Sequence, residues 1–181
     1  MPVEIMTADA DETRAIGQAL AKLVRPGDLI MLSGDLGAGK TTFTQGLGEG
    51  MGVRGRVSSP TFIIAREHPN PNGPVLIHAD AYRITDLDDL ETLDLDSTLS
   101  EAVTVIEWGE GKTEGLSPDR LEVQVVRAHG TDAAQTTGAE PINVELMDDG
   151  KRTLVFTPCS DRWDEGELRA LAEAIAEEDK A

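Results

Sequence analysis

Apolar runs and amphipathic stretches alternate along the first half of the chain, in the order expected of an α/β protein. Uninterrupted apolar runs at Leu29–Leu32 and Ala102–Ile106 predict buried strands, because a strand covered on both faces has no polar side. Apolar side chains recur every three or four residues after Asp9 and across Lys40–Met51, which predicts two helices. Asp9 and Glu12 have the spacing of a capping box at the start of the first helix.

Strands are also predicted near both ends of the chain. The further apolar runs that predict strands are Val3–Met6, Val57–Arg66, Val75–Ala79, Leu121–Val126, Ile142–Met147 and Arg152–Phe156. We interpret the first as an edge strand and the next two as a hairpin, since a stretch rich in Pro, Asn and Gly separates them. An Asp-Gly turn at 149–150 predicts that the last two pair as a second hairpin. The pattern as a whole predicts a three-layer α/β fold with a mixed, mostly parallel sheet and an antiparallel extension.

The length of the chain fits one domain with a short C-terminal extension. A chain of 181 residues is long enough for a single hydrophobic core, which we assign to residues 1–158. Small and polar residues predict a flexible loop at 129–141, and leucines with helical spacing and acidic residues between them predict a helix at Asp86–Leu95. Residues 159–181 are predicted to form an acidic, helical C-terminal extension.

Charge and cysteine content narrow the class of function. The formal net charge is −18, whereas tight binding of DNA or RNA needs a basic surface, so autonomous nucleic-acid binding is not expected. The single cysteine, Cys159, allows no internal disulfide and agrees with a reducing compartment. No stretch has the composition of a signal peptide or the length of a membrane span, so we expect a cytoplasmic protein without membrane contact.

A glycine-rich motif separates the run at Leu29–Leu32 from the predicted second helix. Gly34–Thr41 matches the pattern G-x-x-x-x-G-K-[ST] in full and predicts a P-loop NTPase-like fold. In such a loop the backbone N–H groups cradle phosphates, Lys40 reaches the outer phosphates and the Thr41 hydroxyl ligates Mg²⁺. The expected nucleotide-binding residues are Asp35, Leu36, Gly37, Ala38, Gly39, Lys40, Thr41 and Thr42. No Asn-Lys-x-Asp element for reading guanine is found, which favours ATP.

Two carboxylates follow apolar runs and are candidates for the metal and the attacking water. Glu107 ends one predicted strand and Asp80 ends another, and the ends of neighbouring strands meet at the sheet edge where ligands bind. His78 lies two residues before Asp80, and we interpret it as structural rather than catalytic. Thr61 is either a switch residue that senses the γ-phosphate or part of a plain Ser-Pro turn.

Four motifs together resemble a known family. They are Gly34–Thr42 (GDLGAGKTT), Ser58–Phe62 (SSPTF), His78–Arg83 (HADAYR) and Ile106–Trp108 (IEW), in this order. The set resembles the TsaE (YjeE) family, the bacterial ATPases of tRNA threonylcarbamoyladenosine biosynthesis, over Asp9–Val126. The resemblance implies a small domain that uses ATP and Mg²⁺, does not itself transfer the threonylcarbamoyl group and works with two partner proteins, TsaB and TsaD. It implies support for turnover of the TsaB–TsaD complex, which places threonylcarbamoyl on N6 of adenosine 37.

The resemblance also assigns roles to single residues. Lys40 and Thr41 match the phosphate and Mg²⁺ positions, and Glu107 matches the Walker B-like acid. Asp80 matches the functional aspartate of the family, and Thr61 matches its switch-like threonine. The candidate catalytic residues are therefore Lys40, Asp80, Glu107 and Thr61, the candidate metal ligands are Thr41 and Glu107, and Trp108, Tyr82 and Arg83 are placed at the site edge or at a partner contact. Because no arginine finger is evident in the chain, we expect weak hydrolysis alone and stimulation by TsaB–TsaD.

Two alternatives stay open at this point. A small-molecule P-loop kinase would use Asp80 as the base on an acceptor hydroxyl, with Arg66 and Arg83 around the substrate, although no arginine-rich lid is found. A nucleotide-dependent binding module would bind partners in the presence of ATP and hydrolyse it very little.

Overall fold

Seven strands and three α-helices make up the regular structure of the residues that the computed structural model describes, 1–59, 65–82, 98–127 and 149–178. The strands are β1 (Val3–Thr7), β2 (Leu29–Ser33), β3 (Ala65–His68), β4 (Leu76–Asp80), β5 (Val103–Glu107), β6 (Leu121–Arg127) and β7 (Arg152–Pro158). The helices are α1 (Ala10–Leu20), α2 (Lys40–Met51) and α3 (Glu165–Glu178), with a 3₁₀ turn at Glu114–Leu116. The predicted helix at Asp86–Leu95, the loop at 129–141 and the strand at Ile142–Met147 lie outside the described residues.

All seven strands form one mixed sheet in the order β1-β7-β6-β2-β5-β4-β3. The central strands β6, β2, β5 and β4 pair in parallel, and the pairs β3–β4, β6–β7 and β1–β7 are antiparallel. The α/β class, the mixed sheet and its antiparallel extension are therefore confirmed, but over the described residues the sheet is not mostly parallel, because three of its six strand pairs are antiparallel. The edge position of β1 and the antiparallel pairing of β3 with β4 are confirmed as well, although β3 covers Ala65–His68 and not the predicted Val57–Arg66, since residues 57–59 are not in a strand.

The second predicted hairpin is wrong. Over Arg152–Phe156, β7 pairs with β1 along one edge and with β6 along the other. A strand has only two hydrogen-bonding edges, so no edge of β7 is left for the predicted partner at Ile142–Met147. The Asp-Gly signal describes the local turn, where Gly150 has a φ of 79°. It does not choose the strand that pairs with β7, because that choice depends on which apolar faces are buried together.

One large core lies between the sheet and the three described helices. Leu32, Val105 and Phe156 on the strands pack with Phe43 on α2 and with the other members of this cluster. The further members that are fully or almost fully buried are Ile16, Leu20, Ile30, Leu47, Leu76, Leu121, Leu154, Trp163, Leu168 and Leu171. A smaller cluster, which includes Leu29, Ile77 and Ile106, covers the opposite face of the sheet. No helix within the described residues is long and apolar enough to cross a membrane.

Close contact of α1 with α2 brings the start of α1 next to the glycine-rich loop. A Cβ on Gly46 would lie 2.0 Å from the Arg14 carbonyl oxygen, and a Cβ on Gly17 would lie 2.3 Å from the Phe43 oxygen. Only glycine allows this approach. Asp9 caps α1 as predicted, since its Oδ1 accepts from the N–H groups at positions 11 and 12. Glu12 accepts from the N–H of residue 8 and not of Asp9, so the capping box closes one residue early.

Candidate nucleotide-binding site

The loop between β2 and α2 has the backbone of an anion-binding turn. Gly34, Gly37 and Gly39 have φ values of 134°, 73° and 113°, a region that side-chain-bearing residues rarely adopt. A Cβ on Gly34 would also lie 2.3 Å from the Val125 oxygen. Gly39 is the N-cap of α2 and provides no side-chain bond to the first N–H groups of the helix. These groups and the helix dipole make this point suitable for a phosphate.

Lys40 points back into the loop from the first residue of α2. Its Nζ donates to the carbonyl oxygens of Gly34 at 2.7 Å and Asp35 at 2.9 Å. It also lies 4.2 Å from the centroid of the Trp108 ring, which is cation–π distance. Burial lowers the pKa of Lys40, and the carboxylates of Glu107 and nearby acids oppose that shift. The ammonium is therefore held among acceptors inside the loop.

Glu107 and Asp80 come together at the carboxyl ends of two neighbouring parallel strands. Asp80 of β4 is directly opposite Glu107 of β5 in the ladder. The Thr41 hydroxyl on α2 is 3.5 Å from Glu107 Oε1, a long hydrogen bond. Asp80 Oδ1 accepts from the Tyr82 N–H at 2.8 Å, which fixes the turn after β4. The structure therefore places Lys40, Thr41, Asp80 and Glu107 in one site, as predicted from the sequence.

His78 contacts the site, although its sequence position was interpreted as structural. Its Nε2 lies 2.8 Å from Glu107 Oε1, and both side chains are buried. His78 and Asp80 share one face of β4, and Glu107 lies on the same side of β5. The alternation His-x-Asp followed by a strand-end Glu on the next parallel strand is the signal that could have revealed this contact.

Trp108 and Tyr82 form the exposed edge of the site. Trp108 has a φ of 60°. In the described part of the chain it is the only residue other than glycine with a positive φ. Its N–H donates to the Leu32 oxygen at 3.2 Å, so the turn after β5 is tied to β2. The Tyr82 ring meets the Trp108 ring edge-on at 5.5 Å and is 68% exposed. Trp108 therefore lies between Lys40 and a solvent-facing tyrosine.

Two arginines from the antiparallel extension reach the loop and were missed by sequence reasoning. Arg127 Nη2 donates to the Leu36 oxygen at 3.0 Å, and Arg152 Nε donates to the Ala38 oxygen at 2.7 Å. The two arginines are paired residues of β6 and β7. Their partners lie 91 and 114 residues away in sequence, so no local spacing points to the contacts.

A cleft of about 120 Å³ opens between this loop and the start of α1. Its lining residues are Ala10, Thr13, Gly37, Gly39, Thr42, Gly150 and Arg152. The loop supplies one side of the cleft, and α1 and the turn before β7 supply the remainder. Leu36 at the tip of the loop is 85% exposed. Thr61 and Arg83 lie outside the described residues, so their predicted roles stay predictions.

A strand, a glycine loop and a helix, with carboxylates at the ends of neighbouring parallel strands, define a P-loop NTPase-like α/β protein. The crystal structure of Bacillus subtilis YdiB has the same fold, with a TM-score of 0.66 and 29% identity over 99% of this chain and 97% of that chain. The family model described as threonylcarbamoyl adenosine biosynthesis protein TsaE matches residues 7–136, and the chain belongs to this family.

Curated relatives agree with the family assignment. The tRNA threonylcarbamoyladenosine biosynthesis protein TsaE of Streptomyces coelicolor is 51% identical over 88% of this chain and 99% of its own length. The protein of the same name from Bacillus subtilis is 42% identical over 72% of this chain and 81% of its own. The Mycobacterium tuberculosis relative of that name is 41% identical over 70% and 80%.

Proposed function

We propose that this protein is the ATP-hydrolysing component of tRNA N6-threonylcarbamoyladenosine synthesis, acting with TsaB and TsaD in the cytoplasm. The observation that carries the proposal is the convergence of Lys40, Thr41, Asp80 and Glu107 at the loop in a chain of the TsaE family. The names of the curated relatives support the pathway, and the residue arrangement supports the reaction class.

The site residues fit a magnesium nucleotide. Mg²⁺ prefers oxygen ligands and is commonly held by one or two carboxylates together with substrate phosphates. The Thr41 hydroxyl and the Glu107 carboxylate provide such oxygens within 3.5 Å of each other, and Asp80 is opposite Glu107. When bound, Mg²⁺ neutralises charge on the phosphate oxygens. The cleft beside Thr13 and Arg152 would take the nucleoside half of ATP.

Each residue has a defined task in the proposed hydrolysis. The N–H groups at the start of α2 bind phosphate oxygens, and Lys40 leaves the carbonyls of Gly34 and Asp35 to neutralise charge that develops on the γ-phosphate. Thr41 and Glu107 would hold the Mg²⁺ ion. Asp80 orients the attacking water by accepting its hydrogen bond. For Thr61, the family resemblance implies a switch-like role.

Tyr82 and Trp108 are the proposed edge against which a partner completes the site. They form an aromatic pair beside Lys40, with Tyr82 exposed and Trp108 half-buried, and aromatic side chains are enriched at protein interfaces. A partner seated there would supply a further charge-stabilising group, such as an arginine, for rapid hydrolysis. Slow turnover alone and stimulation by TsaB–TsaD follow from this arrangement.

A reconstituted modification assay tests the proposal. Purified TsaB and TsaD, threonylcarbamoyl donor and unmodified tRNA are combined with this protein, and modified adenosine 37 is counted per TsaD. We expect TsaD to complete multiple turnovers when wild-type protein is present and at most one turnover with Lys40→Ala. Equal yields with and without this protein would overturn the proposal. Transfer of phosphate to a metabolite in place of water would support the kinase alternative.

A further inference from the structure

We propose that His78 is a positioning residue of the site, holding the Glu107 carboxylate in the orientation from which it ligates Mg²⁺ beside Thr41. The inference rests on the proposed function and adds a residue to which neither the family assignment nor the sequence motifs give a role.

The contact is built by the strand geometry. In the parallel ladder of β4 and β5, His78 is opposite Val105 and Asp80 is opposite Glu107, so His78 and Glu107 are diagonal neighbours on one face. The His78 Nε2 and Glu107 Oε1 atoms lie 2.8 Å apart. The side chain of His78 is 0% exposed and that of Glu107 is 5% exposed, so water competes little for this bond.

Burial makes the bond important for the carboxylate. A buried carboxylate is costly unless hydrogen bonds stabilise it. At 3.5 Å the Thr41 hydroxyl is at the limit of hydrogen bonding and cannot orient Glu107 firmly. The His78 contact is short and comes from a rigid central strand. It is therefore the interaction that sets where Glu107 Oε1 lies relative to Thr41.

Core packing alone does not explain an imidazole at this position. His78 Nδ1 is buried and has no hydrogen-bond partner among the described residues. An apolar side chain of similar size would fill the space without that cost. The tautomer with hydrogen on Nε2 satisfies the geometry, since Nε2 donates to Glu107 and the unpaired Nδ1 carries no hydrogen. The polar ring is retained for its bond to Glu107.

The neighbouring strand offers a matched control. His68 on β3 is 4% exposed and also has an unpaired ring nitrogen, Nε2, among the described residues. None of its described contacts is with Glu107. Removing either ring perturbs the same region of the core, but only His78 touches the proposed metal ligand.

The experiment measures how strongly Mg²⁺ tightens nucleotide binding. The dissociation constant of N-methylanthraniloyl-ATP is determined with Mg²⁺ and with EDTA for wild type, His78→Leu, His78→Gln, His78→Asn and His68→Leu, beside phosphate release. Loss of an outer-sphere partner commonly costs about 10–100-fold in metal affinity or activity. His78→Leu is expected to lose about that factor of Mg²⁺-dependent tightening while its affinity in EDTA stays within about twofold of wild type. His78→Gln, whose amide N–H can reach the Nε2 position, is expected to restore most of it; the shorter His78→Asn is not.

Four outcomes would overturn the inference. Wild-type Mg²⁺ dependence in His78→Leu would do so alone, and so would equal losses in His78→Leu and His68→Leu, which indicate core packing only. If His78→Leu does not fold, equal Mg²⁺-dependent tightening of nucleotide binding in His78→Gln and His78→Asn overturns the inference. Wild-type protein that binds no nucleotide in either buffer would overturn the proposed function, and the inference with it.

Discussion

The buried ion pair between Arg162 and Asp28 should hold the C-terminal segment on the main core. Arg162 Nε donates to Asp28 Oδ1 at 2.9 Å, and Nη2 donates to Asp28 Oδ2 at 2.5 Å and to the Leu23 oxygen at 2.8 Å. The Asp28 side chain is 7% exposed and that of Arg162 is 17% exposed. The guanidinium also lies 4.3 Å from the centroid of the Trp163 ring. Arg162→Leu would therefore leave a buried carboxylate with the Arg25 N–H as its remaining described donor.

The size of the effect follows from this geometry. Removing one partner of a buried ion pair costs about 3–5 kcal/mol, and the partial exposure of Arg162 places the expectation near 3 kcal/mol. With a urea m-value of about 2 kcal/mol/M, the unfolding midpoint should fall by about 1.5 M. The double variant Asp28→Asn with Arg162→Leu should recover part of the loss, because no uncompensated charge is then buried.

Urea unfolding followed by far-ultraviolet circular dichroism measures the shift. Arg169→Leu is the matched control, since Arg169 is 59% exposed and its ion pair with Glu165 lies on the surface of α3. Such pairs contribute about 0–1 kcal/mol. A midpoint for Arg162→Leu that falls no further than that of Arg169→Leu would refute the reasoning.

Three further changes test other parts of the structure. Gly46→Ala places a Cβ 2.0 Å from the Arg14 oxygen and should force α1 away from α2. We expect the free energy of unfolding in urea to fall by about 1–3 kcal/mol and nucleotide binding to weaken. A wild-type stability together with a wild-type nucleotide affinity would count against the close contact. Arg152→Ala removes one charge-assisted hydrogen bond and should raise the nucleotide dissociation constant about tenfold. Lys151 is exposed, so Lys151→Ala should leave that constant unchanged. Equal dissociation constants for the two variants would contradict the assignment of the cleft to the nucleotide. Burial lowers the pKa of His68 from its ordinary value of 6.5, so its contribution to stability is present above pH 6.5 and is lost as the pH falls toward the folded-state pKa. His68→Leu should therefore lose less stability than wild type on acidification below pH 6.5, and parallel losses in urea midpoint would refute this.

The local sequence pattern was sufficient to predict the glycine-rich loop and the strand and helix beside it. The helix predicted at Lys40–Met51 has those bounds in the structure, because the glycine loop, the apolar spacing and Gly52 with its φ of 81° are all local signals. The predicted strand at Leu29–Leu32 is β2 with one residue added. Asp80 and Glu107 could be placed together because the ends of neighbouring strands in an α/β sheet meet at one edge.

Features that depend on distant residues could not be predicted. The partners of β7 are chosen by burial of alternating faces across the whole sheet, so a nearby Asp-Gly turn was misleading. Arg127 and Arg152 reach the loop only because β6 and β7 extend the sheet beside it. His78 was interpreted as structural because its bond to Glu107 is set by strand register, which the sequence does not show directly.

In the proposed function, this site hydrolyses ATP for a partner complex. Its most direct test is phosphate release by wild type, Lys40→Ala and Glu107→Gln, each with and without purified TsaB–TsaD, and with Glu110→Gln as the control for a nearby exposed acid. We expect slow release by wild type alone, clear stimulation by the partners, loss of the stimulated rate in the Lys40 and Glu107 variants, and a near-normal rate in Glu110→Gln. Release that survives Lys40→Ala, or that does not respond to the partners, would contradict the proposed function.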